Sequence, residues 1–154
     1  MAQIGLLEDN ARIANLCATI LQYAGHQVTI YGHPRECLKA LCLEGANGEN
    51  RPPIAQPMSS SSLPVEVLIL DLNLPDMNGM EVLQSLCSHA HTRSLPLIFC
   101  TAAPPSEIVK ALRIAPQAGL VEKPFTFQEL ITAITQALKL LEQQRQERIS
   151  NEVP

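Results

Sequence analysis

Short apolar runs alternate along this chain with longer segments in which apolar residues recur every three or four positions. The runs occupy residues 4–7, 27–31, 65–70, 97–100 and 119–122. Turn-forming residues bound most of them, and β-branched and aliphatic side chains fill them, a pattern that predicts buried strands. The segments between them have the spacing of amphipathic helices. Five strand–helix units in succession predict a doubly wound (βα)5 fold of the α/β class, with a parallel five-stranded sheet covered by helices on both faces.

The predicted helices have recognisable first and last residues. Asp9 or Asn10 can cap the first helix, Gly25 ends it, and Pro34 opens a second helix that reaches about residue 43. The remaining three are expected to begin at about residues 79, 105 and 126. The residues expected to face the sheet are Ile13, Leu16, Cys17, Ile20, Leu21, Cys37, Leu38, Leu41, Val82, Leu83, Leu86, Cys87, Ile108, Val109, Leu112, Phe127, Leu130, Ile131, Ile134, Leu138 and Leu141.

Two segments depart from this alternation. Residues 44–64 are rich in proline, serine and glycine, which predicts a poorly ordered surface insertion rather than a domain boundary. Beyond Leu141 the apolar stripe stops, and residues 142–154 are expected to form a solvated helical extension or tail. The alternative is the start of a linker to a further domain, or a helix that binds a partner. The prediction is therefore one domain over residues 1–141, carrying the insertion and followed by the tail.

Composition and charge exclude several classes of protein. Of the 154 residues, 46% are hydrophobic and 17% charged, which is typical of a globular domain. The net charge of −4 provides no basic field, so direct binding of nucleic acid is not expected. Because the chain has neither an apolar run long enough to span a bilayer nor a signal peptide at its start, we expect no membrane association and a cytoplasmic location.

The cysteines do not predict a metal or disulfide framework. Their number is odd and no C-x-x-C spacing occurs, so free thiols that pack as small apolar side chains are expected. They are Cys17, Cys37, Cys42, Cys87 and Cys100.

Polar residues close four of the predicted strands. Glu8 and Asp9 follow the first, Asp71 the third, Thr101 the fourth and Lys123 the fifth. The carboxyl ends of parallel strands meet at one edge of a sheet, where open α/β folds place their ligand sites. Any one of these residues alone is better explained as a cap or a turn. Together, in this order, they predict a site of three carboxylates, one hydroxyl and one ammonium group.

This set of strand-end residues resembles the receiver domain of bacterial two-component response regulators, in particular single-domain regulators of the chemotaxis type. The resemblance covers about residues 1–140 apart from the insertion. It implies a flavodoxin-like sheet with the strand order 2-1-3-4-5. It also implies that the protein catalyses only its own phosphorylation and dephosphorylation and is otherwise not an enzyme.

The resemblance assigns a role to each residue of the site. Asp71 is the phosphoacceptor, and Thr101 and Lys123 bind the phosphoryl oxygens. A Mg²⁺ ion, for which Mn²⁺ can substitute, is held by Asp9, Asp71 and the backbone carbonyl of Asn73, with Glu8 acting through water. Structural roles are expected for Gly79 and for Pro124, whose peptide bond with Lys123 is expected to be cis.

One position departs from the family pattern. Receivers usually carry an aromatic residue three positions before the lysine, and here Leu120 stands at that position. The conformational switch that the resemblance implies would therefore couple Thr101 to an aliphatic side chain. We expect a smaller change of exposed surface than an aromatic ring would give.

Three functions follow from these residues, in descending order of support. The first is a phosphorylation switch that takes its phosphoryl group from a histidine kinase or histidine phosphotransfer protein and signals to a downstream protein, with a possible homodimer through the last two helices. The second is a docking or dimerisation module that works without phosphorylation. The third is a small phosphohydrolase with Asp71 as nucleophile, disfavoured because Asn73 cannot act as the general acid two residues on.

Overall fold

The computed structural model describes residues 2–43, 63–73, 79–90 and 92–152. Residues 44–62 of the predicted insertion lie outside this part of the chain. The described elements are β1 Gln3–Leu7, α1 Ala11–Tyr23, β2 Gln27–Tyr31, α2 Pro34–Leu38, β3 Val67–Leu70, α3 Gly79–Ser88, β4 Leu97–Thr101, α4 Pro105–Ile114, β5 Gly119–Glu122 and α5 Phe127–Glu152.

The five strands form one parallel sheet in the order β2-β1-β3-β4-β5. This confirms the predicted fold class and strand order. Every residue of β3 and β4 is buried, whereas β2 at one edge is largely exposed. Central strands read as continuous apolar runs because helices cover both of their faces.

Alternate residues of each strand face two separate cores. Leu68 and Leu70 point toward α2, α3 and α4, whereas Val67 and Ile69 point toward α1 and α5. This alternation follows from the two-residue repeat of a strand. The largest buried side chain, Phe99, packs in the first core directly below the carboxyl edge of the sheet.

Local signals explain where the helices begin and end. The Asn10 side chain caps α1 by accepting hydrogen bonds from the backbone N–H groups of Arg12 and Ile13, at 3.0 and 3.3 Å. Gly25 follows α1 with φ of 96°, in the left-handed region that favours glycine. The second predicted helix changes its pitch: α2 ends at Leu38 and the chain continues as a π-helical turn over Lys39–Leu43.

Three side chains predicted to face the sheet are instead about half exposed. Leu16 is next to the buried Cys17, and Val109 is next to the buried Ile108. Neighbouring helical residues point about 100° apart, so only one of such a pair can face the core directly. Phe127 lies at the start of α5, where its ring packs edge-on against the exposed ring of Tyr23 with centroids 6.4 Å apart.

The predicted polar tail continues α5 without a break as far as Glu152. Gln144 is half-buried, and Arg145 contacts Glu66 through Nη2 and Oε2 at 3.7 Å. This part of the helix therefore touches the amino end of β3. Across the residues that are described, no helix has the length and apolar character needed to cross a membrane.

Candidate functional site

Strand register brings two carboxylates together at the carboxyl edge of the sheet. Leu7 of β1 is paired with Leu70 of β3, so the residues that follow them, Glu8 and Asp71, emerge side by side. The Asp71 N–H donates to the Leu7 carbonyl at 3.2 Å and extends the pairing by one residue. Glu8 and Asp71 are buried, whereas the adjacent Asp9 is exposed. Ligand oxygens of these three carboxylates lie within 4.8 Å of one another.

Lys123 joins the two buried carboxylates. Its Nζ donates to Oε2 of Glu8 at 2.8 Å and to Oδ2 of Asp71 at 3.0 Å. The Lys123 N–H donates to the Thr101 carbonyl at 3.0 Å, and the peptide bond between Lys123 and Pro124 is cis. The direct contact with Glu8 was not among the contacts expected from the sequence. Nothing in the sequence signals it, because it depends on how far the lysine side chain reaches across three strands.

Burial shapes the electrostatics of this cluster. It raises the pKa of Glu8 above its usual value; the hydrogen bond from Lys123 opposes this effect and the charge of Asp71 adds to it. Burial also disfavours the charged form of Lys123, but the hydrogen bonds to Glu8 and Asp71 outweigh this, and the pKa of Lys123 is raised. One ammonium group thus faces three carboxylates, which leaves an excess of negative charge at an opening to solvent.

Backbone contacts fix the position of Asp71. Its Oδ1 accepts a hydrogen bond from the Asn73 N–H at 3.0 Å, so that both carboxylate oxygens are engaged. The Gly79 N–H donates to the Leu72 carbonyl at 3.2 Å, and a Cβ at Gly79 would lie 2.4 Å from the Leu72 Cα. Only glycine permits this close approach of α3 to the segment after Asp71. Residues 74–78 lie outside the described part of the chain.

Thr101 and Leu120 lie on the two strands nearest to Lys123. Thr101 is fully buried as the last residue of β4, and its Oγ1 accepts a hydrogen bond from the Ala103 N–H at 3.0 Å. Leu120 is exposed on β5 and is paired with Phe99, two residues below the edge where Thr101 is paired with Glu122. The edge of the sheet therefore gathers Glu8, Asp9, Asp71 and Lys123, with Thr101 at the adjoining strand end and Leu120 set back from it.

Comparison with known proteins assigns the chain to a class. The sequence model of the response regulator receiver domain matches residues 54–135, which is more than half of the chain. The chain therefore belongs to the response regulator receiver domain family, as the strand-end residues predicted. Two-component signalling is the process in which this family acts.

Individual relatives are distant in sequence and close in fold. Response regulator SaeR of Staphylococcus aureus is 22% identical over 139 residues, covering 90% of this chain and 51% of that protein. The chain thus spans about half the length of the curated relatives it matches. Chemotaxis protein CheY4 of Vibrio cholerae superposes with a TM-score of 0.68 at 20% identity, over 89% of this chain and 98% of that one. A CheY-like receiver domain protein of Methanospirillum hungatei gives 0.71 at 19% identity, over 94% and 98%.

Proposed function

We propose that this chain is a phosphorylation-dependent receiver that accepts a phosphoryl group on Asp71 in a reaction that requires Mg²⁺. The observation that carries the proposal is the position of the Asp71 carboxylate. It is buried at a strand end, held by the Asn73 N–H, bonded to Lys123 and adjacent to two further carboxylates. A carboxylate held in this way can act as a nucleophile toward phosphorus.

The donor set fits a hard divalent cation. Glu8, Asp9 and Asp71 offer carboxylate oxygens within 4.8 Å of one another, and Asp9 is open to solvent. Oxygen ligands and retained waters are what Mg²⁺ prefers, and Mn²⁺ accepts the same donors. Asp9, Asp71 and the Asn73 carbonyl would hold the ion, with Glu8 acting through water. When bound, the ion would supply charge neutralisation for the phosphoryl oxygens.

The transfer itself is a displacement at phosphorus. An Asp71 carboxylate oxygen forms the new O–P bond while the N–P bond of a phosphohistidine breaks, and the electron pair of that bond returns to the imidazole nitrogen. The product is an aspartyl phosphate. Lys123 now bonds to Oδ2 of Asp71, so its ammonium group is already at the carboxylate that receives the phosphoryl charge. It would move only from the carboxylate to the new phosphoryl oxygens.

Thr101 is the group proposed to carry the signal away from the site. To bind a phosphoryl oxygen its hydroxyl would turn toward Asp71, and the Ala103 N–H would then lose its present acceptor. The segment after β4 would shift in response, and the space vacated beside β5 would be available to Leu120. This exposed leucine is smaller than an aromatic ring, so we expect a modest change at the surface of α4, β5 and α5.

The remaining roles follow from this assignment. The phosphoryl donor would be a histidine kinase or histidine phosphotransfer protein, and the output would be a protein contact, with a homodimer through α4 and α5 as one form of it. The receiver would comprise residues 1–141 and act on no substrate besides its own acyl phosphate. Residues 142–154 would form a helical extension or tail that follows it.

Phosphorylation by acetyl phosphate tests the proposal directly. Intact-mass measurement should show one added phosphoryl group on the wild-type protein with Mg²⁺, and none after chelation or in Asp71→Asn. Glu66→Gln is the matched control, because it neutralises a carboxylate at the opposite end of β3 and should be labelled like the wild type. Absence of both labelling and Mg²⁺ binding in a folded wild-type protein would overturn the proposal and favour a docking module that works without phosphorylation.

A further inference from the structure

β2 lies at the edge of the sheet and pairs with β1 on one side. Two hydrogen bonds show which of its backbone groups make this pairing. The Gln27 N–H donates to the Ala2 carbonyl at 2.9 Å, and the Tyr31 carbonyl accepts from the Glu8 N–H at 3.4 Å. Successive residues of a strand direct their backbone groups to opposite sides, so those of Gln27, Thr29 and Tyr31 point toward β1.

The N–H and C=O groups of Val28 and Ile30 consequently point away from the sheet. Within the part of the chain that the structure describes, no hydrogen bond reaches them. The side chains leave this edge accessible, because Thr29 is exposed and 40% of the Ile30 surface is exposed. β2 therefore presents a row of donors and acceptors to which a further strand can bind.

The two edges of the sheet differ in how they are protected against such binding. Edge strands usually avoid pairing with other chains by being short or by carrying charges or proline. β5 has four residues, ends in Glu122 and is followed by Lys123 and Pro124. β2 has five residues, QVTIY, without a charge or a proline among them. Its β-branched residues favour strand pairing, so β2 is the edge open to a partner.

We propose that β2 binds β2 of a second copy of this chain in antiparallel orientation, so that the two five-stranded sheets become continuous. The strand is complementary to itself when Thr29 lies on the twofold axis. Val28 of one copy is then opposite Ile30 of the other, and their outward groups exchange N–H···O=C hydrogen bonds in both directions. Gln27 lies opposite Tyr31, so the whole strand is paired.

The side chains suit this register. Val28 packs at the border of the core beneath α1, and Ile30, two residues on, shares that face of the sheet. Each cross-strand pair of Val28 with Ile30 removes apolar surface from water, and Thr29 meets its own copy on the other face. The register one step toward the amino end would instead use His26, whose N–H already donates to the Leu21 carbonyl at 3.0 Å.

The neighbouring helix permits the contact. α1 lies over β1 and β2, so in the dimer the two α1 helices would run antiparallel on one face of the joined sheet. They would be about two strand spacings, about 10 Å, apart, which is a distance at which helices pack without overlap. Arg12, in the first turn, is the charged residue of α1, and the antiparallel arrangement puts its two copies at opposite ends. In β2 and α1, therefore, no like charges face each other.

A dimer through β2 leaves the acidic site of each copy open. Antiparallel pairing directs the carboxyl ends of the two sheets in opposite directions, so neither copy covers the carboxylates of the other. This surface is separate from α4 and α5. The inference concerns assembly alone and does not rest on the proposed function.

Amide exchange in the full chain, followed by NMR across the micromolar range of protein concentration, tests the proposal. We expect the Val28 and Ile30 amides to exchange more slowly as the concentration rises, in step with the dimer fraction measured by analytical ultracentrifugation. The Thr29 amide is the internal control, because it points toward β1 in the monomer and its protection should change much less. A wild-type protein that stays monomeric, with both outward amides exchanging freely, would overturn the proposal. Protection at every concentration would also overturn it, because a segment of the same chain would then cover the edge.

Two variants at one position test the same edge. Ile30→Pro removes an outward N–H and keeps the side that pairs with β1, and Ile30→Lys adds a charge on each side of the axis. We expect each to weaken association by at least about tenfold. Val109→Lys is the matched control, since Val109 is a β-branched residue of α4 that is 48% exposed, and it should dimerise like the wild type. Loss of the dimer in Val109→Lys but not in Ile30→Lys would assign the contact to α4 and contradict the proposal. The wild-type exchange pattern decides the question even where a variant fails to fold.

Discussion

The two ends of the sheet carry the same kind of ion pair in different surroundings. At the carboxyl end, Lys123 bonds to Glu8 and Asp71 at 2.8 and 3.0 Å, with side-chain exposures of 14%, 3% and 6%. At the amino end, Arg145 lies 3.7 Å from Glu66, with exposures of 62% and 31%. Water screens the charges of the second pair strongly and those of the first pair weakly. The electrostatic interaction is therefore stronger at the carboxyl end.

This difference in burial distinguishes the candidate site at the carboxyl end of the sheet from the surface contact at its amino end. A buried carboxylate that has lost water depends on its partner, and replacing that partner by a metal or a phosphoryl group changes the balance strongly. The contact at the amino end fixes a helix loosely against a strand and can be lost without much consequence. Four substitutions test whether the two ends of the sheet differ in this way.

The largest effect is expected from Lys123→Gln. It leaves Glu8 and Asp71 buried and facing each other without a cation, which we expect to lower the free energy of unfolding by about 3 kcal/mol in the absence of divalent ions. Urea unfolding at neutral pH measures it. Mg²⁺ should restore part of the loss because it replaces the missing positive charge. A loss below about 0.5 kcal/mol would show that water screens both carboxylates as it does Glu66.

Gly79→Ala is expected to come next. The new Cβ would lie 2.4 Å from the Leu72 Cα, so α3 or the segment after Asp71 must move, at a loss of about 2 kcal/mol. Gly119→Ala, at the amino end of β5, is the matched control, since its Cβ would meet Ile98 at an ordinary 3.5 Å. Thermal unfolding of both variants tests the contrast. Equal losses would mean that the carboxyl end is no more tightly packed than the amino end.

A smaller loss is expected from Thr101→Val. Valine keeps the shape but removes the oxygen that accepts the Ala103 N–H, and an unsatisfied buried donor costs about 1–2 kcal/mol. Thr135→Val makes the same change on the exposed side of α5, where the hydroxyl donates to the Ile131 carbonyl, and should be nearly neutral. Denaturant midpoints give the comparison. If Thr101→Val is as stable as the wild type, the hydrogen bond to Ala103 does not hold the hydroxyl in its present position.

Arg145→Gln is expected to change stability least, by less than about 0.5 kcal/mol, because the pair with Glu66 is exposed and long. The same urea titration checks it, and raised salt should leave the difference between variant and wild type within error. A loss comparable to that of Lys123→Gln would contradict the distinction between the two ends.

Most of the fold was predictable from the chain alone. The five apolar runs became the five strands, and Asn10 and Gly25 bound α1 as expected. The strand order came from the resemblance, since periodicity determines which residues are in strands and leaves open which strands are neighbours. The helix faces were less predictable. Leu16, Val109 and Phe127 are apolar and yet about half exposed. The helical repeat shows which residues share a face, but burial also depends on where the helix lies on the sheet, and the repeat gives no information about that.

The composition of the site was predictable and its internal contacts were not. Strand-end positions pointed to Glu8, Asp9, Asp71 and Lys123 because parallel strands end at one edge. Which carboxylate Lys123 would bond could not be deduced, because that depends on side-chain reach and burial across strands.

The length of α5 has a mechanical consequence. Its 26 residues make a rod about 39 Å long, whereas the four- and five-residue strands span only about 13–17 Å. The helix begins four residues after Lys123 and continues beyond Arg145, which lies against Glu66 at the amino end of the sheet. A tilt of about 3° at Phe127 would sweep its far end through about 2 Å. The length of the helix therefore converts a small change of angle at its first residue into a displacement of about 2 Å at its last turn.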